Sequence, residues 1–69
     1  MYLAWFDGDR KKPTEKKIAE GVRRYLEKFG GKQPTVCLCN PADYTESALI
    51  EVRPRANIGR HCFWIGTDD

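Results

Sequence analysis

The feature that most constrains this chain is one amphipathic helical segment, residues 14–29, set between short apolar segments typical of β-strands. Its apolar positions are Ile18, Ala19, Val22, Tyr25, Leu26 and Phe29, which follow the spacing of one helix face. Thr14 is the expected N-cap, and Gly30-Gly31 predicts a left-handed C-terminal cap. Gly21 is unfavourable inside a helix by about 1 kcal/mol relative to Ala. Because Gly21 borders the apolar stripe, we predict that the helix approaches a sheet closely there.

Four short segments have the composition of β-strands, at residues 2–6, 35–40, 49–53 and 61–66. The first is apolar on both sides, as in a central strand, whereas the third alternates charged and apolar residues, which suits a sheet edge. Residues 41–48 predict a turn or one short helical turn. The order β-α-β-β-β predicts a single α/β (α+β) domain over residues 1–69, with one helix packed on a small mixed four-stranded sheet. We expect a right-handed parallel crossover between the first two strands and an antiparallel hairpin of the last two.

One helix covers only one face of such a sheet, so the other face needs a different cover. Both faces receive apolar side chains, from Tyr2, Trp5, Phe6, Phe63, Trp64 and Ile65. A homodimer is the commonest solution for a small soluble chain, so we expect a homo-oligomer ahead of another protein or stacked bases. The candidate interaction face consists of Trp5, Phe63 and Trp64.

The net charge of +2 conceals a segregation of charge along the chain. Residues 10–32 hold nine Lys or Arg against three Glu, and the remainder is acidic overall. The candidate nucleic-acid-binding residues are Lys16, Arg23, Arg24 and Lys28 on the helix, with Arg53, Arg55 and Arg60 near the last loop. If both groups share one surface, they predict contacts with phosphates; the alternative is a solvated helix face. No helix-turn-helix, zinc-finger or RNA-recognition signature accompanies them.

Polar residues follow the first two predicted strands and form a second candidate site. Asp7 and Asn40 are expected to end neighbouring parallel strands beside the helix start, with Asp43 close by. A helix N-terminus favours an anionic ligand, whereas the carboxylates favour a cation or a hydroxyl-bearing ligand. Converging carboxylates would also suit a small metal-assisted hydrolase. The alternative is that Asp and Asn here are turn formers.

The third candidate site combines Cys37, Cys39, His61 and Cys62, whose ligand types suit zinc. An odd number of cysteines without an export signal indicates reduced thiols, and Cys-x-Cys inside an apolar strand is typical of core packing. A catalytic thiol would need His61 as a base with an orienting partner, and none is evident. We therefore assign no catalytic residue, expect no enzyme, and keep zinc as the one possible cofactor.

The chain shows no signal-peptide pattern and no apolar run long enough to span a bilayer, so we expect a cytoplasmic protein without a membrane partner. Five segments resemble short uncharacterised bacterial proteins of similar length: Trp5-Phe6-Asp7, Lys17-Ile18, residues 25–30, residues 37–41 and residues 61–66. The resemblance covers nearly the whole chain and implies no activity. The expected function is a small binding or interaction module.

Overall fold

The structure, a computed structural model, describes residues 2–67. Its elements are β1 (Tyr2–Phe6), α1 (Thr14–Lys28), β2 (Val36–Cys39), a 3-10 turn (Pro41–Asp43), β3 (Glu51–Pro54) and β4 (Cys62–Gly66). The order strand, helix, strand, strand, strand confirms the predicted α+β class with one helix on a mixed four-stranded sheet.

The strands lie in the order β1-β4-β2-β3. β4 runs antiparallel to both of its neighbours, β1 and β2, whereas β2 and β3 are parallel. Two predictions are therefore wrong: β3 and β4 form no hairpin, and β1 is an edge strand. The physical reason is that the crossover through α1 leaves room for one strand between β1 and β2. β4 fills that room, and its apolar residues Phe63 and Ile65 occupy the centre of the sheet.

The core lies between α1 and one face of the sheet. Its buried residues are Ile18, Val22 and Tyr25 from the helix, Cys37, Cys39, Phe63 and Ile65 from the sheet, and Ile50 from the connection to β3. The predicted apolar stripe of the helix is thus confirmed, as is the expectation that Cys37 and Cys39 pack as small apolar side chains.

The ends of α1 differ in how well sequence predicts them. The N-cap is Pro13, not Thr14, and it offers no side-chain cap to the first turn. At the other end, Gly30 and Gly31 have φ values of +66° and +85°, and the Gly31 N–H donates to the Leu26 carbonyl at 2.8 Å. This left-handed arrangement is the predicted glycine cap.

We call the sheet face opposite α1 the open face. Tyr2, Phe6 and Trp64 lie on it with 38%, 65% and 44% of their surface exposed. The loop at residues 55–61 covers part of this face, where buried Ile58 lines a groove of about 450 Å³ with Leu38 and Trp64. The remaining apolar area lies over β1 and β4.

Candidate functional site

Within residues 2–67, the outer edge of β1 pairs with no other strand and is the first candidate surface. All five residues of β1 are uncharged, and their side chains are apolar or aromatic. Natural sheets normally protect an edge strand with charges, proline or a bulge. The opposite edge follows that rule, because β3 contains Glu51, Arg53 and Pro54. β1 has no such protection.

A groove of about 370 Å³ runs beside this edge, between β1 and α1. It is lined by Leu3, Trp5, Arg24, Glu27 and Lys28. The Arg24 guanidinium lies 5.6 Å from the centre of the Trp5 ring, which is a cation–π distance. Trp5 Nε1 is buried without a hydrogen-bond acceptor among residues 2–67. The groove therefore combines apolar walls with charges of both signs.

The predicted interaction face is only partly on the open face. Phe63 is fully buried beneath α1, and Trp5 packs against the helix-side core. Because side chains alternate along a strand, Trp64 points the other way and lies on the open face beside Tyr2, with ring centres 6.3 Å apart. Tyr2 and Phe6 take the places that the sequence analysis assigned to Trp5 and Phe63.

The second surface is a pocket of about 360 Å³ at the start of α1, here called the basic pocket. Its lining residues are Arg10, Lys12, Thr14, Lys17, Ala42, Asp43, Arg60 and His61. The lining thus includes four Lys or Arg side chains and one carboxylate. The basic pocket lies at the end of the sheet where β1 and β2 finish and β4 begins. The sequence predicted a ligand site at this end.

Asp43 is the structural centre of the basic pocket. Its side chain is 4% exposed, and its Oδ2 accepts from the His61 backbone N–H at 2.7 Å. Arg60 donates to Oδ1 from Nε at 3.2 Å. Burial acts to raise the pKa of Asp43, but the Arg60 and His61 hydrogen bonds and charges outweigh it and hold the pKa below its ordinary value. Asp43 is thus an ionised anchor for the loop before β4.

His61 and Lys17 meet inside the pocket. His61 has φ of +64°, a left-handed conformation that is uncommon for a residue with a side chain. Two backbone contacts hold it: its N–H donates to Asp43, and its carbonyl accepts from the Asp7 N–H at 3.0 Å. The Lys17 Nζ lies 3.4 Å from His61 Nδ1, although residue Lys17 is only 3% exposed.

Asp7 and Asn40 serve as turn formers. Asp7 Oδ1 accepts from the Asp9 N–H at 3.0 Å, and Lys12 donates to Oδ2 at 2.8 Å; the Lys12 hydrogen bond is the main reason that the pKa of Asp7 is lowered. The same pairing raises the pKa of Lys12. Asn40 caps the 3-10 turn through Ala42 N and donates to the Ile58 carbonyl at 2.7 Å.

The expected juxtaposition of Asp7 and Asn40 is only partly realised. Their strands are parallel to each other, but β4 lies between them, so the two residues do not end neighbouring strands. Cations and backbone N–H groups hold Asp7 and Asp43, so these carboxylates do not converge as cation ligands. The charge of the site therefore favours an anion over a cation.

The basic residues predicted to contact nucleic acid do not form one surface. Lys16, Arg23, Arg24 and Lys28 are exposed on α1. Arg53 pairs in register with Leu38, and Arg55 lines the groove with Trp64, so both lie on the open-face side. Arg53 is ion-paired with Glu51 at 2.6 Å, and Arg60 is paired with Asp43. The sheet separates Arg53 and Arg55 from the helix residues, whereas Arg60 lies in the basic pocket at the start of α1. The seven residues therefore do not form the single phosphate-binding surface that the hypothesis requires.

The cysteines are likewise divided between the two faces. Cys37 and Cys39 are fully buried under α1, whereas Cys62 is half-buried on the other side of the sheet, and all three thiols are free. Burial raises the pKa of Cys37 to about 12, and burial followed by the charge of Asp43 raises that of Cys39. Across residues 2–67, no group of three or more His, Cys, Asp or Glu side chains could hold a metal ion. The proposed zinc set is not assembled.

The burial of Lys17 was not predicted from the sequence. A usable signal is present: Lys17, Gly21 and Tyr25 are spaced i, i+4, i+8 and share one helix face. Since Gly21 and Tyr25 are buried, Lys17 lies on the inward side as well.

Comparison of the chain with protein-family models, curated proteins and solved structures finds no match. Within the part of the chain that the structure describes, no helix has the length and apolar character needed to cross a bilayer. The free edge of β1 and the basic pocket are therefore the features that indicate a function.

Proposed function

We propose that the protein is a small binding module that self-associates by pairing β1 of one copy antiparallel with β1 of a second copy. The observation that carries this proposal is the uncharged edge strand β1. Unpaired backbone groups beside apolar side chains form a template for another strand. Pairing two four-stranded sheets in this way produces one continuous eight-stranded sheet.

The sequence of β1 is suited to pairing with itself. With the two-fold axis at Ala4, Tyr2 lies opposite Phe6 of the second copy, and Leu3 lies opposite Trp5 of the second copy. Every cross-strand pair is then aromatic or apolar, and such pairs each contribute about 0.2–1 kcal/mol. The Tyr2–Phe6 pairs lie on the open face, where both side chains are exposed in the single chain.

The groove beside β1 supports a second copy as the occupant. A two-fold axis brings the same surface of each copy together, so the interface must be complementary to itself. Arg24 and Lys28 line this groove together with Glu27, and Glu27 of one copy can therefore pair with either cation of the other. The charges then add orientation to the apolar pairing.

The substitution Ala4→Lys tests the proposal. Ala4 is exposed on the open face, and the two-fold axis would place the two introduced lysines opposite each other, where like charges are destabilising. We expect the wild type to sediment as a dimer at micromolar concentration and Ala4→Lys as a monomer of 8.0 kDa. Sedimentation velocity provides the measurement.

Ala56→Lys is the matched control, because Ala56 is exposed in the loop at residues 55–61, away from β1. It should leave the dimer intact. A wild type that sediments as a monomer up to high micromolar concentration would contradict self-association. Equal dissociation by both substitutions would show that added charge, not the β1 edge, controls assembly.

A further inference from the structure

We infer that the basic pocket binds a phosphate monoester, the dianionic group carried by a small phosphorylated molecule. The inference is independent of self-association, since the pocket lies at the start of α1, whereas the proposed interface lies along the free edge of β1.

Lys17 is the residue that most directly indicates a bound anion. Lys17 is 3% exposed. Within residues 2–67, its ammonium group has no carboxylate at ion-pairing distance. Its one hydrogen-bonding contact there is with His61 Nδ1, at 3.4 Å. A buried charge without a counter-charge is strongly unfavourable, and proteins normally supply a partner. The two acids near this end of the sheet are already engaged. Asp7, whose pKa the charge of Lys17 helps to lower, accepts from Lys12, and Asp43 accepts from Arg60 and from the His61 backbone. An anion in the pocket would supply the missing partner.

The surroundings of Lys17 favour an anion of more than one charge. Arg10 lines the same pocket without an ion pair to the described residues, and Lys12 and Arg60 line it while paired with Asp7, Glu20 and Asp43. Lys17 and Arg10 together therefore match an anion with two charges. The first turn of α1 adds backbone N–H groups, because Pro13 provides no side-chain cap. Helix N-termini of this kind bind phosphate through these N–H groups and the helix dipole.

The shape of the pocket favours a terminal phosphate over the phosphodiester backbone of a nucleic acid. Its volume of about 360 Å³ lies at the small end of the range for small-molecule sites. A nucleic-acid backbone carries one charge per phosphate and needs cations along an extended surface. Among the described residues, Arg53 and Arg55 lie on the other side of the sheet and cannot extend the pocket into such a surface.

The test is a two-dimensional amide NMR titration with inorganic phosphate and with phenyl phosphate, against sodium chloride at matched ionic strength. We expect saturable shifts at Thr14, Glu15, Lys17 and His61. Lys17→Met should weaken binding at least about tenfold, since a charge-assisted contact is worth about that factor or more. The same substitution should leave the melting temperature of the ligand-free protein unchanged or raised, because it removes a buried charge.

Lys16→Met is the matched control: it removes the neighbouring exposed charge and should leave affinity unchanged. Arg10→Gln is a second pocket variant on an exposed side chain, and it should weaken binding even if Lys17→Met fails to fold. A dinucleotide without a terminal phosphate, in which the one phosphate is a diester, should produce no saturable shift. Shifts that chloride reproduces, equal losses in Lys16→Met and Arg10→Gln, or dinucleotide binding as tight as phenyl phosphate would each overturn the inference.

Discussion

At the scale of single residues, Gly21 determines how closely α1 packs on the sheet. A Cβ atom built at this position would lie 2.9 Å from Trp5 Cδ1 and would overlap Ile65 Cδ1. The helix therefore contains a residue of poor helical propensity at this position, because a side chain there would prevent the close contact with β1 and β4. This confirms the close approach that the sequence predicted from a glycine at the border of the apolar stripe.

We expect Gly21→Ala to lower the free energy of unfolding by about 1–2 kcal/mol. Because the added Cβ would overlap one core side chain and crowd a second, we expect an overpacking cost of about 2–3 kcal/mol, in the upper part of the usual range, and the gain in helix propensity of about 1 kcal/mol offsets only part of it. Chemical denaturation monitored by circular dichroism would measure the change. Gly59→Ala is the control, because an added Cβ there meets nothing within 4 Å, and it should be close to neutral. A neutral Gly21→Ala would contradict the close packing.

At the scale of elements, Asp43 joins the 3-10 turn to the loop that precedes β4. Its two oxygens bind Arg60 and the His61 backbone, and this holds His61 in its left-handed conformation. The 3-10 turn is only three residues long and the loop has no regular secondary structure, so the buried carboxylate holds the two segments together. Asp43, which the sequence alone allows as a simple turn former, thus also stabilises a contact between segments distant in the chain.

The lowered pKa of Asp43 predicts how stability depends on pH. The unfolded chain binds the proton first as pH falls, since its carboxyl has an ordinary pKa of about 3.9. The contribution of Asp43 is therefore full above that value and is lost as pH falls through the lower native pKa. We expect Asp43→Asn to destabilise the protein by about 1–3 kcal/mol at neutral pH, as for a lost buried hydrogen-bond partner.

The loss caused by Asp43→Asn should shrink as the pH approaches and passes below the native pKa, where the wild type is protonated as well. Urea denaturation from neutral pH down to about pH 2 would follow it, over the range in which carboxyl groups titrate. Glu46→Gln, at an exposed position, should leave the pH profile unchanged. A constant difference across this range would show that ionisation of Asp43 contributes nothing.

At the scale of the whole molecule, 69 residues form a small core with one sheet face partly uncovered. Domains of this size bury a modest fraction of their surface, so association can contribute a sizeable part of their stability. If β1 pairs between copies, the melting temperature of the wild type should rise with protein concentration. Ala4→Lys should melt at a temperature independent of concentration, as measured by calorimetry. A wild-type melting temperature that is constant over a hundredfold dilution would contradict this prediction.

Features set by residues close together in the chain were predicted from the sequence, whereas features set by contacts between distant residues were not. The helix stripe, the glycine cap after Phe29 and the strand Tyr2–Phe6 depend on residues a few positions apart, and all three were predicted. The strand order was not, because the choice between a β3–β4 hairpin and insertion of β4 beside β1 depends on contacts distant in the chain. The candidate site divides in the same way: its location at the sheet edge was predicted, but its cationic character was not.

The sequence by itself determined which segments are helical or extended and which side chains are apolar, since periodicity and capping act locally. Only the tertiary structure decided that an all-apolar strand lies at the edge of the sheet, and that Lys17 and His61 meet beside Asp43. The physical reason is that β4, the last strand in the chain, occupies the centre of the sheet. Its position displaces β1 to the edge and carries His61 to the start of α1, and no local pattern in either segment encodes that placement.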